Sequence, residues 1–295
     1  MPSAADPTRL EAHVRALEGE RHPRSSPRAL RAAQDYLADS LSSLGLAVER
    51  RPFPFRGRAF ENVVATAPGR RTDRPRVAVA AHFDTVQGTL GADDNASGVA
   101  ALLEAARLLA ADDLASAVEF IGFNLEESQG LAGRVGSRAF VAEARRQGLA
   151  YAAALVLEMV GYTDPAPGSQ RRPAALFWKR MPRRGTFLAA TGDSGSRRLL
   201  RAFAAVARAE VPDLEVVTFR SPSGGWLVPE TRLSDNASFW DEGYPALMLT
   251  DTAFFRNPHY HLPSDRADTL DYRFLAEVTQ ATVACVRALA GGAAG

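Results

Sequence analysis

The chain has 295 residues, 46% of them hydrophobic, and a formal net charge of +1. This size and apolar content support a sizeable core in one or at most two domains, and the near-neutral balance gives no electrostatic case for nucleic acid or a membrane surface as partner. The single cysteine, Cys285, lies in an apolar helical pattern and reads as an inert core thiol, so no disulfide can form within one chain.

The opening stretch "MPSAADPTRLEAHVRALEGERHPRS" is polar and lacks an apolar signal core. It is expected to be mobile or a peripheral helix, and the protein is expected to be cytoplasmic. No apolar run reaches the ~18 residues of a membrane span. From Pro27 to Gly45 the apolar residues Leu30, Ala33, Leu37, Leu41 and Leu44 recur at helical spacing, with Gly45 as a stop. Short β-type runs follow at "LAVERRPFPF", "ENVVATAP" and "RVAVAAHFD". A helix is predicted from Ala96 to Ala111, with Val99, Leu102, Leu103, Ala106 and Leu109 on one face. Then come a buried strand at "SAVEFIGFN", a helix at "SRAFVAEARRQG" ending at Gly148, and a strand at "AAALVLEMV". The rest reads as a strand at "AALFW", a helix at "SRRLLRAFAAVARAE", a strand at "LEVVTF", a short helix at "SDNASFWDEG", a strand at "PALMLTD" and a helix from Asp271 onward.

Strands alternating with helices predict an α/β fold, a three-layer sandwich with a mixed, mainly parallel central sheet flanked by helices. There is no internal repeat and no low-complexity linker, so residues 1–295 are expected to form a single domain. The Pro/Gly-rich segment "GYTDPAPGSQRRP" reads as a long active-site loop rather than a boundary. The arginine-rich pieces (Arg70 to Arg74, Arg171 to Arg172, Arg183 to Arg184) read as solvated loops.

In open α/β sheets, ligands bind beyond the carboxyl ends of the strands. Four such ends here are polar: "VAVAAHFD", "EFIGFNLEE", "ALVLEM" and "ALMLTD". His82 and Asp84 alternate about Phe83, which turns both side chains to one side. A carboxylate so placed can fix the second nitrogen of a metal-bound imidazole, although "HFD" alone would better suit a surface histidine with an Asp cap. In "GADDNASG", Asp93, Asp94 and Asn95 suit helix caps. They also suit a carboxylate held rigidly enough to bridge two cations. Glu126, Glu127 and Glu158 stand at later strand ends, and "NPHYHLPSD" supplies His259 and His261. Two cations ~4 Å apart need a bridging carboxylate and hard or borderline ligands. Such N/O donors suit zinc, and cobalt or manganese are also compatible.

The motifs "HFDT", "GADDNASG", "NLEE", "LEM" and "HYHLPSDRADTLD" occur in an order and spacing that resembles the di-zinc exopeptidase family of the bacterial leucyl aminopeptidases and glutamate carboxypeptidases. The resemblance implies the zinc exopeptidase fold and two Zn2+ per chain. By motif, His82 resembles a ligand of one zinc, Asp94 the carboxylate bridging both, and Glu158 the terminal acidic ligand beside His82. Glu127 and His261 resemble the ligands of the other zinc, with His261 preferred over His259 because "LPSD" follows it. Glu126 resembles the general base and Asp84 the residue that orients His82. A cis peptide between Asp94 and Asn95 is also implied.

The function implied is a metal-dependent exopeptidase, an aminopeptidase hydrolysing N-terminal peptide bonds with water held by two zinc ions. Its partner is then a peptide or amino-acyl substrate. A glutaminyl-cyclase-like acyltransferase, a non-peptide amidase and a non-catalytic binding protein on the same scaffold are the alternatives. Two residues depart from the family pattern: Glu158 stands where aminopeptidase relatives commonly have Asp, and Asn236 where they often have His. Phe254, Phe255 and Tyr260 either line an apolar specificity pocket or belong to the core. Arg256 either pairs with a substrate carboxylate or forms a structural ion pair.

Overall fold

A computed structural model of the protein describes residues 4–127, 133–174 and 181–291. Its strands are β1 (Ala47–Phe55), β2 (Arg58–Ala67), β3 (Arg76–His82), β4 (Val118–Phe123), β5 (Tyr151–Glu158), β6 (Leu188–Gly192), β7 (Val216–Arg220) and β8 (Ala246–Thr250). They form one sheet in the order β1-β2-β4-β3-β5-β8-β6-β7. The central strands β4, β3, β5 and β8 run parallel to one another. Antiparallel pairings attach β1 and β2 on one side and β6 to β8 on the other.

The central strands are near-continuous apolar runs because both faces are buried. Val77, Val79 and Ala81 of β3 point into one core and Ala78 and Ala80 into the other. The first core holds the apolar faces of α1 (Pro7–Leu17), α2 (Pro27–Ser43), α3 (Gly98–Leu109), α5 (Arg197–Glu210) and α7 (Tyr272–Ala290). The second holds α4 (Val135–Arg146) and the short α6 (Asn236–Asp241). In α1, Asp6 caps the N-terminus by accepting the N–H of Thr8, and Leu10, Val14 and Leu17 are buried. In α7 the cap is Asp271, which accepts the N–H groups of Arg273 and Phe274. Among the described residues, no helix is long and apolar enough to cross a membrane.

Two differences from the sequence reading stand out. Strand β6, "LAATG", is not marked by its composition, since small residues dominate it and β-branched ones are few. The strand expected at "AALFW" has its last four residues outside the described ones.

The two faces are covered unequally. On the side of α4 and α6, the apolar cluster takes in Ala246 at the start of β8 but no residue of β6 or β7. Register aligns Glu158 with Thr250, Thr250 with Ala189, and Ala189 with Val217, one row of same-face side chains across four strands. Met248, Thr191 and Phe219 form the neighbouring row. These two rows are the floor of a cavity.

Candidate metal centre

Each acidic or imidazole group singled out in the sequence leaves a strand or turn that is fastened to the next. β3 delivers His82 and, beyond Phe83, Asp84, all three buried. The chain then runs to Gly91 and a π-helical turn, Ala92–Ser97, that carries Asp94. Gly91 has φ +60°, and a β-carbon there would strike Thr85 and the carbonyl of Asp94, so only glycine suits the entry to this turn. The Asp94–Asn95 peptide is cis. Asp265 accepts the backbone N–H groups of Asp93 at 2.8 Å and Asp94 at 3.1 Å. Asn95 ties the turn to the end of β5, donating to the carbonyl of Leu157 at 2.8 Å and accepting the N–H of Met159 at 3.0 Å. Glu158, the last residue of β5, accepts the hydroxyl of Ser234 at 2.6 Å.

The groups converge on Asp94. His82 Nε2 lies 3.3 Å from one of its carboxylate oxygens and 3.4 Å from Glu158. His261 Nε2 lies 3.1 Å from the other oxygen and 3.4 Å from Glu127. One nitrogen of His82, one oxygen of Asp94 and one of Glu127 all lie within 4.8 Å of one another. His82 Nε2 and Asp94 Oδ1 are shut off from solvent and complete no hydrogen bond among the described residues. Leaving such atoms unpaired costs about 1–3 kcal/mol each. A cation among them removes that cost, so the residues fit a bound metal, and their N/O character fits zinc.

Glu126 lies beside this set, and its pKa is well above the ordinary glutamate value. Burial is the main cause, opposed by His82 and reinforced by the charges of Asp235, Glu127 and Glu158. Glu127 is pushed up to about 8 by burial and by Asp94, with the two histidines opposing. For His261, burial pulls down, but hydrogen bonds to Asp94 and Glu127 outweigh it and raise the imidazole to about 10. For His82, burial is outweighed by Glu158, Asp84 and Asp94, which hold it well above its usual range. Asp94 is held below the ordinary aspartate range, because the histidines overcome its burial.

His259 stays outside this cluster, with Nδ1 3.0 Å from Ser264 Oγ. Of the two readings of Arg256, its contacts favour the structural one. It is buried, and its guanidinium donates to the carbonyls of Phe187 and Tyr162 and to the side chain of Gln170. Asn236 is also buried and donates to the carbonyl of Thr231 at 3.0 Å.

Three residues that sequence reasoning passed over also belong here. Asp235 is fully buried, neither carboxylate oxygen completes a hydrogen bond of ordinary geometry among the described residues, and burial raises its pKa to about 7 against the opposing effects of His82 and Ser137. Arg21 donates to the carbonyls of Leu17, Gly19, Phe83, Leu90 and Gly91, binding the N-terminal segment to the loop that leads to Asp94. The third is Asp265. The only sequence signal for each was position, beside "NASFW", "HPR" and "HLPS" respectively.

Phe254, Phe255 and Tyr260 line the cavity above the floor of β6, β7 and β8, which opens onto Glu158. The empty space measures about 870 Å³, including its open mouth.

Residues 62–286 match the model of Peptidase family M28. The chain belongs to this family. It is therefore a metallopeptidase, in agreement with the resemblance carried by its motifs. The Escherichia coli (strain K12) protein YfbL is 36% identical, over 96% of this chain and 88% of its own length. Leucine aminopeptidase 1 of Uncinocarpus reesii is 28% identical over 94% of this chain, which spans 66% of that protein. Among solved structures, the Legionella pneumophila LapA aminopeptidase superposes with a TM-score of 0.75 at 20% identity, covering 98% of this chain and 70% of that one. Porphyromonas gingivalis glutaminyl cyclase gives 0.73 at 21% identity, covering 97% and 99%. At that identity the two structures speak for the α/β fold of the M28 peptidases alone.

Proposed function

We propose that this M28 peptidase is an aminopeptidase acting through two zinc ions. The observation that supports this reading best is the position of Asp94 between His82 and His261, one imidazole to each carboxylate oxygen. His82 and Glu158 would hold one ion and His261 and Glu127 the other, with Asp94 shared between them. The bound zinc would polarise the scissile carbonyl and supply a water acidic enough to attack it at neutral pH. The remaining steps fall to this chain's own groups. Glu126 is the general base: its buried carboxyl accepts the proton of the attacking water and passes it to the leaving amine nitrogen. Asp84 holds Glu126 in place through its backbone N–H. Glu158, at the mouth of the cavity, meets the free amine of the substrate. Curated relatives named leucine aminopeptidase agree with this direction of attack.

The test is a pair of amino-acyl reporter substrates, one with a free amine and one acetylated, given to zinc-loaded protein. Turnover confined to the free amine is expected. Efficient cleavage of the acetylated substrate would mark a carboxypeptidase or amidase instead, and a single metal per chain would favour the cyclase reading.

A further inference from the structure

The cavity that opens at Glu158 is longer than a leucine side chain needs. Its floor crosses from β5 to β7, three strand spacings, or about 14 Å. Val217, Phe219, Met248 and Ala189 make that floor apolar. Its roof includes the segment between β7 and α6. One end of this segment is fixed near the ends of β6 and β7: Ser221 donates its N–H to the carbonyl of Gly192, and its hydroxyl lies 2.6 Å from that of Thr231. The other end is fixed at the metal centre, where Ser234 meets Glu158. Glu230, next to Thr231, therefore lines the cavity on the β7 side. Its Oε2 is shut off from solvent and has no hydrogen-bond partner among the described residues. Arg171 is the one cationic side chain lining the cavity among the described residues. It is exposed and donates to the carbonyl of Phe254.

We infer that this cavity selects substrates whose N-terminal residue is lysine or arginine, with Glu230 receiving the cationic end. The inference rests on the aminopeptidase reading above. The methylene stem of such a side chain covers the apolar floor, while its head needs a carboxylate once it leaves water. Glu158 and Glu230 then stand at the two ends of one substrate residue, the first at the α-amine and the second at the side-chain cation. A purely apolar side chain would fill the floor and leave Glu230 unpaired, which disfavours it.

The experiment compares lysyl, arginyl, norleucyl and leucyl reporter substrates with zinc-loaded wild type and Glu230→Gln, thermal unfolding confirming that the variant is folded. Wild type is expected to prefer lysyl over norleucyl in kcat/KM by roughly tenfold or more, the scale of one charge-assisted hydrogen bond. Glu230→Gln should collapse that ratio to near unity, and free lysine should lose potency as a product inhibitor in the variant. Norleucyl or leucyl turnover equal to lysyl in wild type, or a ratio unchanged in Glu230→Gln, overturns the role of Glu230 and leaves the aminopeptidase reading standing. No turnover of any of the four removes both.

Discussion

Oδ1 of Asp84 lies 3.0 Å from the backbone nitrogen of Glu126 and accepts its N–H. The second oxygen accepts the N–H of Glu127 at 3.2 Å, whereas the nearest approach to His82 Nδ1 is by the backbone carbonyl of Asp84, at 3.2 Å, with the carboxylate at 3.6 Å. Asp84 thus fixes the two glutamates at least as directly as it orients the histidine. In Asp84→Asn, an amide NH2 must face one of those N–H groups. Metal affinity is expected to fall about 10–100-fold, as for other residues that support metal ligands, and both metals should weaken together. A competitive zinc titration reads this, and unchanged affinity at both sites would contradict the role given to Asp84.

Adjacent Glu126 and Glu127 should fail differently. Glu126→Gln keeps the shape but cannot take a proton, so turnover should drop by roughly 10²–10⁴ with metal content intact. Glu127→Gln should instead lose the metal shared with His261, and excess zinc should restore part of the activity. Metal analysis beside steady-state kinetics separates the two. The assignment is wrong if Glu126→Gln loses metal while Glu127→Gln keeps it.

His261→Ala should leave about one metal per chain against the two expected for wild type, because His82, Asp94 and Glu158 stay in place. Elemental analysis after dialysis against metal-free buffer gives the count. Retention of two would show that His261 is not a ligand.

Zinc uptake should release protons. Without metal, His261 with a pKa of about 10, His82 raised well above its usual range, and Glu127 near 8 all hold a proton at pH 7. A ligand must give its proton up, so binding liberates up to three protons, while Asp94, held low, contributes none. Affinity therefore rises with pH up to the highest of these values and falls steeply toward pH 6. Calorimetry in two buffers of different ionisation enthalpy measures the protons released, and a value near zero at pH 7 would refute the charge states described.

Arg21→Met should destabilise the fold by about 3 kcal/mol or more, since several buried carbonyls lose their donor at once. Denaturant unfolding of the metal-free protein measures the loss. A change below about 1 kcal/mol would mean that water replaces the guanidinium.

The candidate site could be read as a cluster because its parts are motifs: a His and Asp two apart, a glycine-flanked acidic turn, paired glutamates, and a histidine before "LPSD". The α/β alternation was legible too, because α2, α3, α5 and α7 bury regular apolar stripes. What escaped depends on contacts between distant segments. Arg21 lies in the charged run "EGERHPR", which looks solvated until Phe83, Leu90 and Gly91 close around it. Asp235 resembles an ordinary helix cap, and nothing local separates the substrate-binding from the structural reading of Arg256. Burial by other elements, not local pattern, decides all three. Strand β6 escaped because alanine, threonine and glycine pair well only when β7 and β8 supply the neighbours.

The unequal cover of the sheet has a consequence for how such a protein can change. The acids and imidazoles that would do the chemistry stand at the ends of packed central strands, whereas the cavity is roofed by loops that cross a stretch of sheet outside the apolar cluster of α4 and α6. Connecting segments tolerate insertion and replacement far better than strands do. Choice of substrate can thus be rewritten in the roof, residue by residue, while the reaction itself is inherited untouched with the floor.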